Sequence, residues 1–314
     1  MVIDYREAPA PIVERESAEA EGGTPLRQRS LWSDAAYRFT RNRAALVSVV
    51  VFTLIVLYCV VVPLVSPHDP NEVDFSQAYA PPSLDHPFGT DKFGRDLFTR
   101  IAVGGRISIG IGFAATFAIL LIGLVYGAIA GFIGGWVDNM LMRILDALYG
   151  LPYLPFAIIT TQILSSSGTA TFWTMVAALT IASWLTTARI VRGQIVSLKQ
   201  NEYVLAARAI GARWHRVLVR HLIPNTFGVL VIAVFLDLPA VVLGEAFLSF
   251  IGLGINPPTA SWGSIAQDGR AAYVLHPLVL FIPSLAIATL VICANFIADG
   301  LRDALDPRTR AQGA

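Results

Sequence analysis

Long runs without a charged residue are the feature that most restricts the fold of this 314-residue chain. Because the hydrocarbon core of a bilayer is about 30 Å thick, a helix needs about 20 predominantly apolar residues to cross it. Uncharged runs of this length occupy residues 44–65, 107–137, 147–188 and 273–298, and residues 226–244 carry a single charge, Asp237. The chain is 55% hydrophobic and only 14% charged, which is far from the average of water-soluble proteins. The sequence therefore predicts an all-α integral membrane protein.

The number and orientation of the spans follow from length and charge. The run over residues 147–188 is long enough for two spans, and the turn-forming sequence Ser165-Ser-Ser-Gly-Thr169 lies in its middle. We therefore expect a tight hairpin here and six transmembrane helices in all. Lys and Arg concentrate in residues 1–43, 189–225 and 301–314, so the positive-inside rule places both termini and the long loop in the cytoplasm.

Composition divides the chain into five segments. The N-terminal segment, residues 1–43, mixes acidic, basic and proline residues and lacks the apolar core of a signal peptide. We therefore expect it to be cytoplasmic and partly disordered. The segments are residues 1–43, a first transmembrane helix over 44–65, an extracytoplasmic strap over 66–104, a five-helix core over 105–300 and a cytoplasmic tail over 301–314.

A seam of small residues marks the second span. Gly123, Gly127 and Gly131 recur at intervals of four, so they lie on one face of a helix. Such faces let two membrane helices approach closely. Ordinary enrichment of glycine in membrane helices explains any one of these residues, but three at this spacing favour a packing face.

The loop over residues 190–225 is the longest cytoplasmic segment between spans, and it carries a helical pattern. Apolar residues recur there at intervals of three and four, which predicts one apolar helix face. They are Tyr203, Ala206, Ala207, Ile210, Trp214, Val217 and Leu218. Gly211 interrupts the pattern and Pro224 is expected to end it, so we predict two short helices that meet at a bend.

Two interpretations fit this basic amphipathic loop. It lies on anionic lipid headgroups, or it inserts into a groove of a partner protein. The small residues Ala206, Ala207 and Gly211 suit close insertion into a protein groove better than deep burial among acyl chains. We therefore expect a docking loop.

Several segments, in this order along the chain, resemble one family of membrane proteins. They are Phe88-Gly-Thr-Asp-Lys-Phe-Gly-Arg-Asp96 with Gly105-Arg-Ile-Ser108, Gly134-Gly-Trp-Val-Asp138, Arg143-Ile-Leu-Asp146, Tyr203-Val-Leu-Ala-Ala-Arg-Ala-Ile-Gly211 with His221-Leu-Ile-Pro-Asn225, Leu248-Ser-Phe-Ile-Gly-Leu-Gly254 with Pro257-Pro258, Ser261-Trp-Gly263, and Asp299-Gly-Leu-Arg-Asp-Ala-Leu-Asp-Pro307. Together they are similar to the C-type permease subunit of the dipeptide, oligopeptide and nickel ABC importers. The resemblance extends over nearly the whole chain after residue 30.

The resemblance implies a type I ABC importer permease fold in the bacterial cytoplasmic membrane. The implied partners are a sister permease subunit in a heterodimer, two ATPase subunits or one fused ATPase, an extracytoplasmic substrate-binding protein and the lipid bilayer. Short peptides are the family's commonest cargo, although nickel, haem and other small solutes use similar permeases.

The resemblance also assigns the docking loop to ATPase coupling. Its matching residues are Ala206, Ala207 and Gly211, whereas Leu205 stands where the family motif has a glutamate. We expect the ATPase-coupling residues to be Tyr203, Ala206, Ala207, Arg208, Gly211, Trp214 and Pro224.

Asp237 is the acidic residue inside a predicted span, where a charge is costly and usually faces protein or water. We expect it to line the translocation cavity and to meet the amino terminus or backbone amides of a peptide. The alternatives are a hydrogen bond to a neighbouring span or subunit and a position at an interface. Glu245, nearer the outer end of the same helix, is interpreted as ordinary.

The outer loops are expected to contact the binding protein, with simple helix capping as the alternative. The residues predicted for this contact are Asp91, Arg95, Asn256 and Trp262.

The sequence predicts no catalytic residue, metal site or bound cofactor in this chain. Its two lysines, Lys92 and Lys199, do not follow glycine, so neither belongs to a phosphate-binding loop, and ATP and Mg²⁺ are expected on partner subunits. His215 and His221 lie six residues apart without an acid or cysteine at a ligand spacing. The net charge of +1 gives no reason to expect nucleic acid.

Two other classes compete with the importer subunit. A secondary transporter that works alone is expected to show inverted halves and paired charges inside the membrane, and only Asp237 qualifies. The second is a membrane scaffold without transport activity, and composition alone does not distinguish it from a transporter subunit.

Overall fold

The computed structural model of the protein describes residues 31–165 and 170–305, without the side chains of residues 31–34. Within these ranges the regular structure is helical, apart from two isolated β-bridges. The helices are α1 (Leu31–Arg41), α2 (Arg43–Val65), α3 (Leu97–Ile133), α4 (Gly135–Tyr149), α5 (Tyr153–Leu164), α6 (Phe172–Leu198), α7 (Glu202–Ala209), α8 (Trp214–Phe250), α9 (Trp262–Arg270) and α10 (Leu278–Leu305). A short 3₁₀ helix, Phe75–Gln77, lies between α2 and α3.

Five of the described helices, α2, α3, α6, α8 and α10, are long and apolar enough to cross a membrane. The pair α4 and α5 passes the same test together, but the two helices meet at 91° and form a bent span or a re-entrant segment. The prediction of an all-helical protein with six spans is therefore met when this bent pair counts as one span.

The predicted hairpin over residues 147–188 is wrong in its first arm. The helix α5 has only 12 residues and is too short to cross the bilayer alone. The break before it falls at Pro152, because proline disfavours the helical conformation of the residue that precedes it. The second arm is α6, while residues 166–169 of the predicted turn lie outside the described residues.

Two other boundaries differ from the prediction. The helix α3 begins at Leu97, where the Asp96 side chain accepts the Thr99 N–H at 2.8 Å, so the strap is shorter than residues 66–104. Residues 1–30 lie outside the described part of the chain, and the rest of the segment predicted as partly disordered forms α1 and the start of α2.

The glycine seam of α3 is a helix-packing face, as predicted, and the structure shows that its partner is α6. A Cβ atom on Gly127 would overlap the Ala188 carbonyl oxygen, and one on Gly131 would lie 2.8 Å from the Arg192 carbonyl oxygen. The backbones of α3 and α6 therefore touch along the seam, and this contact forms the centre of the molecule.

Candidate coupling surface and membrane cavity

The coupling segment, residues 202–224, contains α7, a turn at Gly211 and the first turns of α8. Gly211 has φ of +82°, which an L-residue rarely adopts. Its N–H donates to the Arg208 carbonyl at 2.9 Å, and the Ala212 N–H donates to the Ala207 carbonyl at 3.0 Å. This is the hydrogen-bond pattern of a Schellman motif, which ends a helix and turns the chain. The predicted bend and the first short helix are confirmed, but the second helix is the start of the long α8 and not a short helix.

The bend divides the predicted apolar face into two sets. One set is buried inside the protein, and it consists of Ala207, Val217 and Leu218 together with Val204 and Leu222, which the pattern did not include. All of these except Ala207 lie in one hydrophobic cluster with Val191 and Ile195 of α6. The other set, Tyr203, Ala206, Ile210 and Trp214, is exposed together with Leu205. The helical spacing of apolar residues is interrupted at the bend, because the two helices meet at an angle. The single apolar face predicted from the sequence therefore combined buried residues with exposed ones.

Two of the predicted coupling residues need correction. Ala207 is only 8% exposed, so it supports α7 from inside and does not present a surface to a partner. Pro224 does not end a helix, because α8 continues through it to Phe250. The proline is the second residue after a π-helical turn, Leu218–Leu222, at a position where the start of a regular helix requires no N–H. The other predicted residues, Tyr203, Ala206, Arg208, Gly211 and Trp214, are exposed.

Phe132 at the end of α3 holds both parts of the coupling segment, a role that the sequence did not indicate. The guanidinium of Arg208 lies 5.3 Å from the centre of its ring, and the Trp214 ring centre lies 6.3 Å away. Lys199 adds a bond from its Nζ to the Gly131 carbonyl at 2.7 Å. Phe132 lies at the end of an apolar run, and nothing in the sequence there distinguishes a phenylalanine that packs on a loop from one that faces lipid.

Asp237 lies half-buried on α8 at a cavity of about 270 Å³. The Thr187 hydroxyl on α6 donates to its Oδ2 at 2.7 Å. The cavity lies among α4, α5, α6 and α8, and its lining includes Tyr149, Tyr153, Phe156, Ser183 and Thr186. The structure thus gives Asp237 both a cavity and a bond to a neighbouring span, two of the alternatives that the sequence left open.

Polar contacts hold the end of α4 against α6 beside this cavity. The Tyr149 hydroxyl lies 2.6 Å from that of Thr186, and Arg189 donates to Asp146 at 2.6 Å. The Arg189 guanidinium also lies 4.3 Å from the centre of the Tyr149 ring. The wall of the cavity is therefore attached to α6 by side-chain contacts.

Three of the four residues predicted to contact the binding protein are buried inside the chain. Arg95 donates to Asp91 at 2.6 Å and to Asp268 at 3.3 Å, which ties the strap to α9. Trp262 is fully buried and donates its Nε1–H to the Ile101 carbonyl at 2.8 Å. Asp91, Arg95 and Trp262 are thus structural, and the prediction that they face a partner is wrong. Only Asn256 remains partly exposed.

Comparisons with known proteins place the chain within one family. Residues 123–311 match the family described as binding-protein-dependent transport system inner membrane component, and residues 30–82 match the N-terminal TM domain of oligopeptide transport permease C. The chain is 44% identical to the oligopeptide transport system permease protein OppC of Bacillus subtilis over 90% of this chain and 91% of the relative. It is 40% identical to OppC of Haemophilus influenzae over 98% and 100%, and 41% identical to the dipeptide transport system permease protein DppC of Bacillus subtilis over 90% and 87%.

Proposed function

Since the chain belongs to the family of binding-protein-dependent transport system inner membrane components, we propose that it forms one half of the translocation pathway of an ATP-driven importer for short peptides. The observation that carries the proposal is the continuity of α8. This helix begins in the exposed coupling segment at Trp214 and reaches the cavity at Asp237. At 1.5 Å per residue the two positions are about 35 Å apart along the helix. A movement imposed at the coupling segment is thereby delivered to the cavity.

The energy for transport comes from separate ATPase subunits, which bind ATP and Mg²⁺. They dock against the exposed face of the coupling segment, where Tyr203, Leu205, Ile210 and Trp214 present apolar surface and Arg208 presents positive charge. Because Leu205 is apolar, this contact relies on shape and burial more than on an acidic side chain. The Schellman turn at Gly211 and the unbroken α8 supply the rigidity that a mechanical coupling needs.

The remaining partners follow from the architecture of such an importer. A sister permease covers the open side of the cavity and completes the pathway. A substrate-binding protein docks at the opposite end of the molecule from the coupling segment, with Asn256 among its contacts. Both termini and the coupling segment face the cytoplasm, because Lys and Arg concentrate in those segments.

The cavity chemistry suits the backbone and amino terminus of a peptide. The Asp237 carboxylate accepts a charge-assisted hydrogen bond from an ammonium group. Hydroxyls of Ser183 and Tyr153 offer hydrogen bonds to peptide groups, and the Phe156 ring offers apolar contact to side chains of varied shape. A contact of this kind accepts many peptides and leaves selection to the binding protein.

Uptake by a reconstituted complex tests the role of Asp237. The complex of this chain, its sister permease and the ATPases is placed in proteoliposomes with the binding protein and a labelled tripeptide. We expect Asp237→Asn to lower the initial uptake rate about tenfold, the equivalent of about 1.4 kcal/mol, with the yield of assembled complex unchanged. Asp299→Asn, at an exposed position of α10, is the matched control. Loss of the complex in Asp237→Asn, or uptake equal to that of the control, contradicts the assignment.

A further inference from the structure

Three of the sequence segments that carry the family resemblance meet at one buried carboxyl group, that of Glu245 on α8. The segments are residues 105–108, 248–254 and 261–263. Glu245 is fully buried. The Ser108 hydroxyl on α3 donates to its Oε2 at 2.8 Å, and the Ser249 hydroxyl donates to its Oε1 at 2.7 Å. Each carboxyl oxygen is therefore held by a hydroxyl from a different segment.

The same two hydroxyls also hold the outer loop, residues 251–261, which joins α8 to α9. The Trp262 N–H, directly after the loop, donates to the Ser108 hydroxyl at 3.1 Å. The Ile255 N–H, within the loop, donates to the Ser249 hydroxyl at 3.3 Å. Each hydroxyl accepts a hydrogen bond from a backbone N–H of the loop region and donates one to the carboxyl group. Glu245 therefore orients each hydroxyl so that its oxygen can accept from the loop.

The backbone around this cluster is too closely packed to move independently. A Cβ atom on Gly254 would overlap the Ser249 hydroxyl, and one on Gly263 would lie 2.7 Å from the Ser249 Cβ. Ile255 also pairs with Ala170, just before α6, in an isolated β-bridge. The outer loop is thus joined to the outer ends of α3, α6 and α8 together.

The tip of this loop is exposed. Pro257, Pro258 and Thr259 are exposed, whereas Ala260 and Ser261 are buried. A partner that docks on this side meets the tip, and the loop connects it to three helices, of which α6 and α8 also line the Asp237 cavity.

We propose that Glu245 is a positioning residue that couples the docking of the binding protein at the tip of the outer loop to the helices of the cavity. The inference rests on the proposed function above. Burial of a carboxyl group is costly unless hydrogen bonds compensate it, and two hydroxyls supply those bonds here. Here it sets the geometry of two hydroxyls and, through them, the position of the loop.

The test compares basal with binding-protein-stimulated ATP hydrolysis by the complete complex in lipid nanodiscs. We expect Glu245→Leu to lower the stimulation ratio about fivefold or more, the lower end of couplings between distant sites, with a smaller change in the basal rate. Ser108→Ala removes one bond and is expected to lower the ratio less. Glu245→Gln retains one oxygen acceptor and an amide donor for the second hydroxyl, so it is expected to restore most of the ratio. Ser284→Ala removes an exposed hydroxyl that bonds only to its own helix and serves as the control.

The outcomes separate this inference from the proposed function. A wild-type ratio in assembled Ser108→Ala and Glu245→Leu overturns the positioning role. Equal losses in basal and stimulated rates overturn it as well, because they indicate a general structural defect. If Glu245→Leu fails to assemble, the ratio of Ser108→Ala against Ser284→Ala decides. A wild-type complex that the binding protein does not stimulate overturns the proposed function, and the inference with it.

Discussion

Trp214 is a large apolar side chain that is 65% exposed on the coupling segment. It is the first residue of α8, and its ring centre lies 6.3 Å from that of Phe132. Tryptophan is enriched among the few positions that dominate a protein interface. The proposed ATPase contact therefore depends on Trp214 more than on the residues around it.

Removal of this side chain is expected to weaken ATPase binding. We predict that Trp214→Ala lowers the affinity of the permease for the ATPase by about 2 kcal/mol or more. The amount of permease in the membrane is expected to stay unchanged, because the ring is exposed. Binding of the purified ATPase to nanodisc-embedded permease measures the effect. Trp173→Ala, at a tryptophan 72% exposed near the start of α6, is the control, and equal losses in both variants contradict the prediction.

Single residues were predictable where their surroundings in the sequence were informative. Asp237 was identified because apolar residues surround it on both sides. Glu245 was missed because it lies near the end of a span, where a charge is unremarkable in sequence. Trp262 and Arg95 were placed on the surface because loop residues are usually exposed. Only the fold shows that Trp262 packs against α3 and that Arg95 bonds to Asp268 of α9.

At the scale of helices, the contact of α3 with α6 organises the membrane part of the molecule. The carbonyl groups of Ala188 and Arg192 lie directly against the glycine seam. Membrane helices gain little from the hydrophobic effect when they associate in lipid, so close packing and hydrogen bonds hold them together.

A methyl group in the seam is expected to destabilise the permease. We predict that Gly127→Ala lowers the free energy of unfolding by about 1–3 kcal/mol, because the new Cβ atom overlaps the α6 backbone. Thermal unfolding of the purified permease in detergent measures this. Gly193→Ala on α6 is the control, since nothing lies within 4 Å of its Cβ position, and it is expected to be neutral or stabilising by up to about 1 kcal/mol. Equal stability of the two variants contradicts the account of the seam.

The bend of the coupling segment is expected to depend on the backbone at Gly211 alone. No atom lies within 4 Å of its Cβ position, so a side chain meets no steric obstacle there, but the φ of +82° is unfavourable for it. We predict that Gly211→Val uncouples ATP hydrolysis from uptake, whereas Gly211→Asn retains most of the coupling, because asparagine tolerates the left-handed conformation. The ratio of peptide transported to ATP hydrolysed is the measurement. Similar ratios in both variants contradict the role of the bend.

The long helices could be predicted from the sequence, whereas several of the residues at which they begin, bend or end could not. Long runs with no charge or a single charge identified α2, α3, α6, α8 and α10, because the bilayer sets the length of a span. The bend between α4 and α5 was missed because Gly150 and Pro152 lie in a run without a charged residue, so no charge marks a break there. Pro224 was taken as a helix end, although a π-helical turn before it lets α8 continue.

In the whole molecule, the two segments proposed to contact partner proteins lie at opposite ends of α8. The coupling segment lies at one end, and the outer loop lies at the other. The Asp237 cavity lies between them on α8, the helix that runs from the coupling segment to the outer loop. This order is what a permease with alternating access requires.

Cysteine labelling tests the proposed orientation. Both native cysteines, Cys59 and Cys293, are buried, so we expect little maleimide labelling of the wild-type chain. We predict that a membrane-impermeant maleimide labels Thr259→Cys in intact cells. It is expected to label His215→Cys, in the coupling segment, only after the membrane is permeabilised. Labelling of both from outside contradicts the orientation, as does labelling of His215→Cys alone.

In the proposed function, this chain transports peptides only when separate ATPase subunits drive it. Peptide uptake into proteoliposomes, measured with and without the ATPases and ATP, is the decisive test. We predict ATP-dependent uptake in the complete complex with the binding protein, and no uptake above background when the ATPases or ATP are left out. Uptake that persists without ATP, or a complex that transports peptides without an ATPase subunit, would contradict it and favour a transporter that works alone.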